Sequence, residues 1–194
     1  MKQTLSNLAK AFVGESQARN RYTIYASVAK KAGYLQIANV FLETAEQEKE
    51  HAEWFFKMMQ EFVRTEGVEM PSIDIETTTM VKFGDTLTNL DTAINGENEE
   101  RTKLYAEFAR VADEEGYPQF ANRIRAIMVA EKHHEERYRQ LYNLVKSDTF
   151  YQRDEAIFRT CTKCGYVWKG KEPPKECPLC GHEKEYYVKM NEDF

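Results

Sequence analysis

The chain has 194 residues, of which 42% are hydrophobic and five are proline, enough for one good helical core with a small appendage. No apolar run reaches the ~18 residues of a membrane span. The opening Met1-Lys2-Gln3-Thr4-Leu5-Ser6 lacks the apolar segment of a signal peptide, so a cytoplasmic protein is expected. The net charge of −5 comes from 27 basic and 32 acidic residues mixed along the chain, which leaves no basic stripe for nucleic acid.

The first helix is expected over about Gln3–Lys31, with Leu5, Leu8, Phe12, Glu15, Tyr22, Ala26 and Ala29 on one stripe and Gly33 as its stop. The second spans about Tyr34–Thr65, with Ile37, Phe41, Thr44, Glu48, His51, Ala52, Phe55, Met59 and Phe62 inward and Gly67 closing it. From Val68 to Asp85 the periodicity breaks: Met70-Pro71-Ser72 cannot continue a helix, and Ile73-Asp74-Ile75 alternates like an extended segment. About 18 extended residues at roughly 3.3 Å each can travel the length of a helix of roughly 30 residues. Such a crossover sets helices 2 and 3 parallel and marks a ferritin-like four-helix bundle rather than a simple up-down one.

The third helix, about Thr86–Glu115, carries Leu90, Ile94, Glu97, Leu104, Phe108 and Val111 inward, with Glu100 one turn beyond Glu97 and Gly116 at the end. Pro118 suits the first turn of the fourth, which runs to about Lys146 with Phe120, Ile124, Ile127, Glu131, His134, Tyr138, Tyr142 and Val145 inward. The bundle is assigned residues 1–147 and a small β-rich tetrathiolate domain residues 154–194. The linker, 148–153, is short, polar and free of glycine, which favours an outward, semi-rigid placement of the second domain. That domain shows β-like pieces at Ala156-Ile157-Phe158 and Tyr186-Tyr187-Val188 around all four cysteines. Cys161-x-x-Cys164 and Cys177-x-x-Cys180, each closed by a glycine, form two knuckles whose backbone amides can point at the sulfurs of one metal ion. Spacing alone suits Zn²⁺ or Fe and favours zinc, while a disulfide does not fit a chain without an export signal.

Inside the bundle a pattern repeats. Glu48-Lys49-Glu50-His51 and Glu131-Lys132-His133-His134 each place a carboxylate and an imidazole three residues apart on an inward face, and each follows a helix with its own inward carboxylate, Glu15 or Glu97. Glu15 to Glu48 is a step of about 33 residues and Glu97 to Glu131 one of about 34, the mark of a duplicated helical hairpin. One inward Glu or one E-x-x-H is commonplace in a chain with 30% charged residues. Four carboxylates and two histidines in corresponding places of two half-repeats point to a dinuclear site, and hard carboxylates with one imidazole per metal suit Fe or Mn better than Zn.

Tyr22 and Tyr105 are either ordinary core or phenols hydrogen-bonded to ligand carboxylates. Arg19, Arg101 and Glu135 each fall one turn after a primary carboxylate and read as ion pairs beside the site, with both arginines on Glu135. His133 and Glu136 are expected in solvent, and Met58, Met59 and Met128 as core filling.

Over nearly its whole length the sequence resembles the rubrerythrins. The resemblance rests on Gly14-Glu15-Ser16-Gln17-Ala18-Arg19-Asn20-Arg21-Tyr22, on both E-x-x-H pairs, on Gly96-Glu97-Asn98-Glu99-Glu100, and on Cys161-Thr162-Lys163-Cys164-Gly165-Tyr166 with Cys177-Pro178-Leu179-Cys180-Gly181. It implies a ferritin-like di-iron bundle followed by a rubredoxin-like FeS₄ domain, Cys161, Cys164, Cys177 and Cys180 holding that iron, with zinc loading possible in recombinant material. The implied activity is reduction of hydrogen peroxide to water in oxidative-stress defence, with electrons from rubredoxin or an NAD(P)H-rubredoxin reductase. By the same resemblance Glu48 and Glu131 bridge the irons, Glu15 holds one, Glu97 with His134 holds the other, and the first iron moves between Glu100 when oxidised and His51 when reduced. Glu100, His51, Tyr22 and Tyr105 are thus the candidate catalytic residues. Tyr166 and Trp168 are expected to pack over the FeS₄ centre.

Two rivals share these residues: a ferroxidase or iron-storage protein, and a non-enzymatic zinc-binding scaffold. The appended thiolate domain argues against the first and Glu100 with the duplicated ligands against the second. A homodimer or larger homo-oligomer is expected, one chain's thiolate centre serving another's di-iron site.

Overall fold

The computed structural model describes residues 2–69 and 71–190. Met1, Met70 and residues 191–194, which the expected domain and crossover bounds include, lie outside the described residues. Helices α1 (Gln3–Lys31) and α2 (Leu35–Glu66) form one hairpin. The second hairpin is α3 (Thr86–Glu99), a π-helical turn (Glu100–Leu104), α4 (Tyr105–Glu114) and α5 (Pro118–Lys146). Gly33, Gly67 and Gly116 stand at the expected stops, and the Asp85 side chain caps α3 by accepting the Thr88 N–H at 2.8 Å.

The crossover runs the length of the bundle. Its Ile73 and Ile75 pack on the cluster of Leu5, Leu8, Phe62 and Tyr117 at one end, while at the other the Tyr25 hydroxyl donates to the Lys82 carbonyl and Lys82 pairs with Asp91 of α3 at 2.8 Å. Helices α2 and α3 therefore start at the same end. A second apolar cluster, built on Ala29, Ile37, Phe41, Leu90, Tyr138 and Leu141, fills that end, and the metal-ligand residues lie between the two. No helix among the described residues is long and apolar enough to cross a membrane.

The expected third helix is not one helix. A π turn holds one residue more than the α-helical turn it replaces and rotates everything after it, so Leu104, expected inward, is 43% exposed while Tyr105 is 1% exposed. The expected β pieces become β1 (Ile157–Cys161) and β3 (Tyr187–Lys189), joined by an unforeseen β2 (Val167–Gly170) in an antiparallel sheet of order β2-β1-β3. The linker does not hold this sheet outward. Phe150 is buried edge-on against Tyr34, the Tyr151 hydroxyl donates to the Gly33 carbonyl at 2.5 Å, and the Lys189 N–H reaches Gln36 at the start of α2. Two aromatic rings in a short linker bury area against the end of the bundle, and that outweighs the polarity of their neighbours.

Candidate functional site

Helices α1, α2, α3 and α5 each deliver one fully buried carboxylate to the middle of the bundle: Glu15, Glu48, Glu97 and Glu131, none more than 1% exposed. They form two sets that share Glu48 and Glu131. Glu15, Glu48, His51 and Glu131 bring one ligand atom each to within 4.8 Å of one another, and so do Glu48, Glu97, Glu131 and His134. His134 Nδ1 lies 2.9 Å from Glu131, 3.1 Å from Glu48 and 3.4 Å from Glu97; His51 Nδ1 lies 2.9 Å from Glu48 and 3.0 Å from Glu131.

The electrostatics are those of a cage built for cations. Burial and the neighbouring Glu131 and Glu48 push Glu15 well above the ordinary carboxylate range, and burial with Glu48 and Glu97 does the same to Glu131. Glu48 moves the other way, because the His134 and His51 hydrogen bonds overcome its burial and bring it down to about 2. Both imidazoles rise despite burial, His51 to about 9 and His134 to about 12, because carboxylates face them. Protons on the two Nδ1 atoms thus stand where a metal ion would. Glu15 Oε2 is buried with no hydrogen-bond partner, and Glu48 Oε1, Glu97 Oε2 and Glu131 Oε1 have only a shared imidazole Nδ1 at 3.0–3.4 Å, too few donors for an empty core and the expected arrangement for four ligands of two divalent cations. Four carboxylates carry the charge that two such ions need.

The two phenols act on these carboxylates crosswise. Tyr22 of α1 donates to Glu97 Oε1 on α3, and Tyr105 of α4 donates to Glu15 Oε1 on α1 at 2.5 Å, so they are partners of candidate ligands and not only core. Burial and those same carboxylates hold both phenols well above their usual range, which keeps them protonated as donors. Glu100, first residue of the π turn, lies outside both tight sets. Burial, Glu97 and Glu48 raise its carboxyl while Arg21 opposes them, which places it beside the cluster.

Glu135 has its two arginines, but they are Arg101 at 3.1 Å and Arg139 at 2.7 Å; Arg19 pairs instead with exposed Glu46 at 3.7 Å, because its α1 position faces α2. His133 and Glu136 are exposed, and Met58 and Met59 are buried. Two features escaped the sequence reading. Gln47 Oε1 lies 3.0 Å from His134 Nε2, and a cavity of about 410 Å³ between α1, the π turn and the crossover is lined by Gly14, Arg21, Gly96, Glu100 and Tyr105. Gly14 and Gly96, each just before a buried carboxylate in the two half-repeats, were the available sign of the cavity.

The four sulfurs form one cluster, all within 4.8 Å of one another, with Cys161 to Cys180 at 3.8 Å and Cys164 to Cys177 at 3.6 Å. Those separations are far beyond a disulfide and match a tetrahedron of metal–sulfur bonds of about 2.3 Å, whose edges are about 3.8 Å. The two knuckles are copies: the Gly165 N–H bonds the Cys161 carbonyl at 2.9 Å and the Gly181 N–H the Cys177 carbonyl at 2.8 Å, with φ of 73° and 70° that only glycine adopts without strain. Tyr166 and Trp168 pack against the cysteine cluster.

The family model described as rubrerythrin matches residues 6–142, and the one described as rubrerythrin, rubredoxin-like domain, matches residues 160–188. The chain belongs to the rubrerythrin family. It is 47% identical to rubrerythrin-1 of Clostridium acetobutylicum over 99% of this chain and 96% of that one, and 45% identical to the rubrerythrin of Porphyromonas gingivalis over 99% and 92%. A solved nigerythrin in its fully reduced, all-ferrous state superposes with a TM-score of 0.61 at 32% identity, covering 96% of this chain and 86% of that one. A bacterioferritin of Desulfovibrio desulfuricans, at 22% identity and a TM-score of 0.65 over 75% and 81% of the two chains, shares the ferritin-like fold. The protein is thus an oxidoreductase-type iron protein with a carboxylate–histidine di-iron centre and a four-cysteine rubredoxin-type centre, and its donor sets fit both.

Proposed function

We propose that the protein is a peroxidase that reduces hydrogen peroxide to water at its di-iron centre, with electrons entering through its tetrathiolate iron. One arrangement carries this reading: two overlapping carboxylate–imidazole sets whose buried oxygens outnumber their donors, in one chain with a Cys₄ cluster. Residues 1–147 form the di-iron unit and 154–194 the thiolate unit. Glu15, Glu48, His51 and Glu131 would hold one iron and Glu48, Glu97, Glu131 and His134 the other, with Glu100 a further carboxylate beside them; Cys161, Cys164, Cys177 and Cys180 would hold the third. When bound, the ferrous pair supplies the two electrons that, with two protons, convert one peroxide to two waters.

The chain's own residues shape the rest. Tyr105 and Tyr22 fix Glu15 and Glu97, so the donor geometry is set before substrate arrives. Peroxide enters by the cavity beside Glu100. A Cβ at Gly14 or Gly96 would meet no atom within 4 Å, so packing does not demand these two mid-helix glycines, each costing about 1 kcal/mol against alanine. Keeping that entry open does. Glu100, on the cavity wall, is the carboxyl from which protons pass to the departing oxygens.

Electrons cross between chains. The thiolate unit lies along the α1–α2 hairpin, Lys189 touching Gln36 and Thr162 and Lys163 sharing a cleft with Leu42, about 6 residues before Glu48, so helical rise alone sets it roughly 9 Å or more along the bundle from its own di-iron site. A head-to-tail homodimer in the cytoplasm, reduced by rubredoxin or an NAD(P)H-rubredoxin reductase, brings a foreign thiolate centre closer. Anaerobic iron-loaded protein with NADH and such a reductase should oxidise NADH on each addition of peroxide; uptake of oxygen by Fe²⁺ with no response to peroxide would instead establish the ferroxidase reading. Mixing a Cys177→Ser chain with a Glu131→Ala chain under subunit exchange should recover activity, and inactive, properly formed heterodimers would refute transfer between chains.

A further inference from the structure

The two halves of the bundle are not equivalent around their histidines. A shift of 83 positions carries Glu48 onto Glu131 and His51 onto His134. Around His134 stands a supporting chain. Arg137 donates to Glu43 Oε1 at 2.7 Å and to Thr44 at 2.6 Å, Glu43 Oε1 also accepts from Gln47 Nε2 at 3.5 Å, and Gln47 Oε1 lies 3.0 Å from His134 Nε2. Glu43 turns the amide so that its oxygen, not its nitrogen, faces the ring; His134 Nε2 must then carry the proton, and Nδ1 is left to face the carboxylates. The same shift puts Ala126 in place of Glu43, Ala130 in place of Gln47 and, run backwards from Arg137, Trp54 in place of the arginine. None of the three can build the chain again: Trp54 is instead clasped by Arg123 and Lys57 at 3.8 and 4.6 Å from its ring. His51 accordingly has no protein partner for its second nitrogen among the described residues, and its side chain keeps 12% exposure against 2% for His134.

We propose that Gln47 is a positioning residue that fixes His134 as an Nδ1 ligand, whereas Ala130, its counterpart in the other half, gives the His51 ring no such partner. The inference rests on both histidines being ligands, as assigned above. The asymmetry comes from a hydrogen-bond acceptor present in one half only, not from any difference between the ligands themselves. Because the amide touches only the outer edge of the ring, the effect passes through His134 orientation and proton placement alone.

The test uses the intact chain loaded with Co²⁺, in which ring N–H protons of bound histidines appear as strongly shifted exchangeable NMR signals. Wild type should give two such signals, one exchanging slowly with D₂O (His134, bonded to Gln47) and one rapidly (His51). Gln47→Leu should convert the slow signal to a fast one and weaken Co²⁺ binding at the His134 position by about 10–100-fold, the usual cost of losing a partner of a ligating histidine. Gln47→Glu, which keeps the acceptor, should restore the slow signal. Exposed Glu43→Ala, which spares the ring and the core, should speed its exchange without abolishing binding. A slow signal that survives Gln47→Leu, or equally fast signals in wild type, overturns the positioning role while leaving the metal site standing. Failure to see any shifted histidine N–H in the loaded wild type would instead overturn the ligand assignment.

Discussion

Tyr105→Phe removes one oxygen from a fully buried ring that stays packed between Phe55 and Phe108, with centroids at 5.4 and 6.1 Å. What it deletes is the hydrogen bond to Glu15 Oε1, and Glu15 Oε2 has no partner, so the carboxylate keeps neither. A hydrogen bond to a charged group is worth roughly 1.5–3 kcal/mol, which at about 1.4 kcal/mol per decade is a factor of about 10–100 in metal affinity. The loss should fall on the position completed by Glu15 and His51 and spare the one completed by Glu97 and His134. Tyr22→Phe, which frees Glu97, should do the reverse. Anaerobic Fe²⁺ titration against a competing chelator resolves the two steps, with circular dichroism as a check on folding. Unchanged two-step binding in both correctly folded variants would refute the idea that the crossed phenols set the donor geometry.

Glu131→Ala removes a carboxylate common to both metal sets and should strip the bundle of iron by metal analysis, whereas Glu100→Ala, outside both sets, should keep two irons and lower peroxide turnover. Cys177→Ser should bleach the tetrathiolate absorption and stop NADH-driven peroxide reduction, while a chemically reduced bundle still discharges one load of peroxide. Glu115→Ala removes the carboxylate that accepts the Gln3 and Thr4 N–H groups at 2.8 Å each and serves as the missing cap of α1. It should cost about 1–2 kcal/mol, a fall of about 2–4 °C in Tm per kcal/mol. Despite partial burial those hydrogen bonds lower the folded pKa of Glu115. Its contribution is therefore complete above the unfolded carboxylate pKa near 4.3 and vanishes as pH falls through the lower folded value, so thermal melts of wild type and variant should converge in acid.

Much of this was legible because metal ligands on long helices must obey helical spacing. One inward carboxylate on each of four helices, and an imidazole three residues after two of them, are visible without coordinates, and all six meet in the two sets. The knuckles were legible for the same reason, since Cys-x-x-Cys-Gly leaves the chain little choice of turn. What stayed hidden depends on contacts between elements. Gln47 is an unremarked polar residue on the flank of α2 until α5 brings His134 to it, and Glu115 becomes a helix cap only when the α4–α5 turn reaches the start of α1. The linker misled because its rings, Phe150 and Tyr151, matter more than its overall polarity once Tyr34 and Gly33 are within reach.

The misplacement of Leu104 has a deeper cause in the duplication. A shift of 82 carries Gly14-Glu15 onto Gly96-Glu97 and Arg19 onto Arg101, but Tyr22 reaches Tyr105 only with a shift of 83. One residue has therefore been added between Arg101 and Tyr105, and the helix absorbs it as the π turn instead of letting the ring swing away from the core. With the turn in place Tyr105 meets Glu15 as Tyr22 meets Glu97, so the inserted residue preserves the crossed phenols. Glu100, where the turn begins, matches buried Ala18 in the first half, which has no carboxylate to offer. The extra acid therefore has no counterpart in the first half, as Gln47 has none in the second. On the proposed reading both departures from twofold symmetry leave the His134 position as the anchor, so that a duplicated hairpin with identical ligands would hold two unlike metal positions.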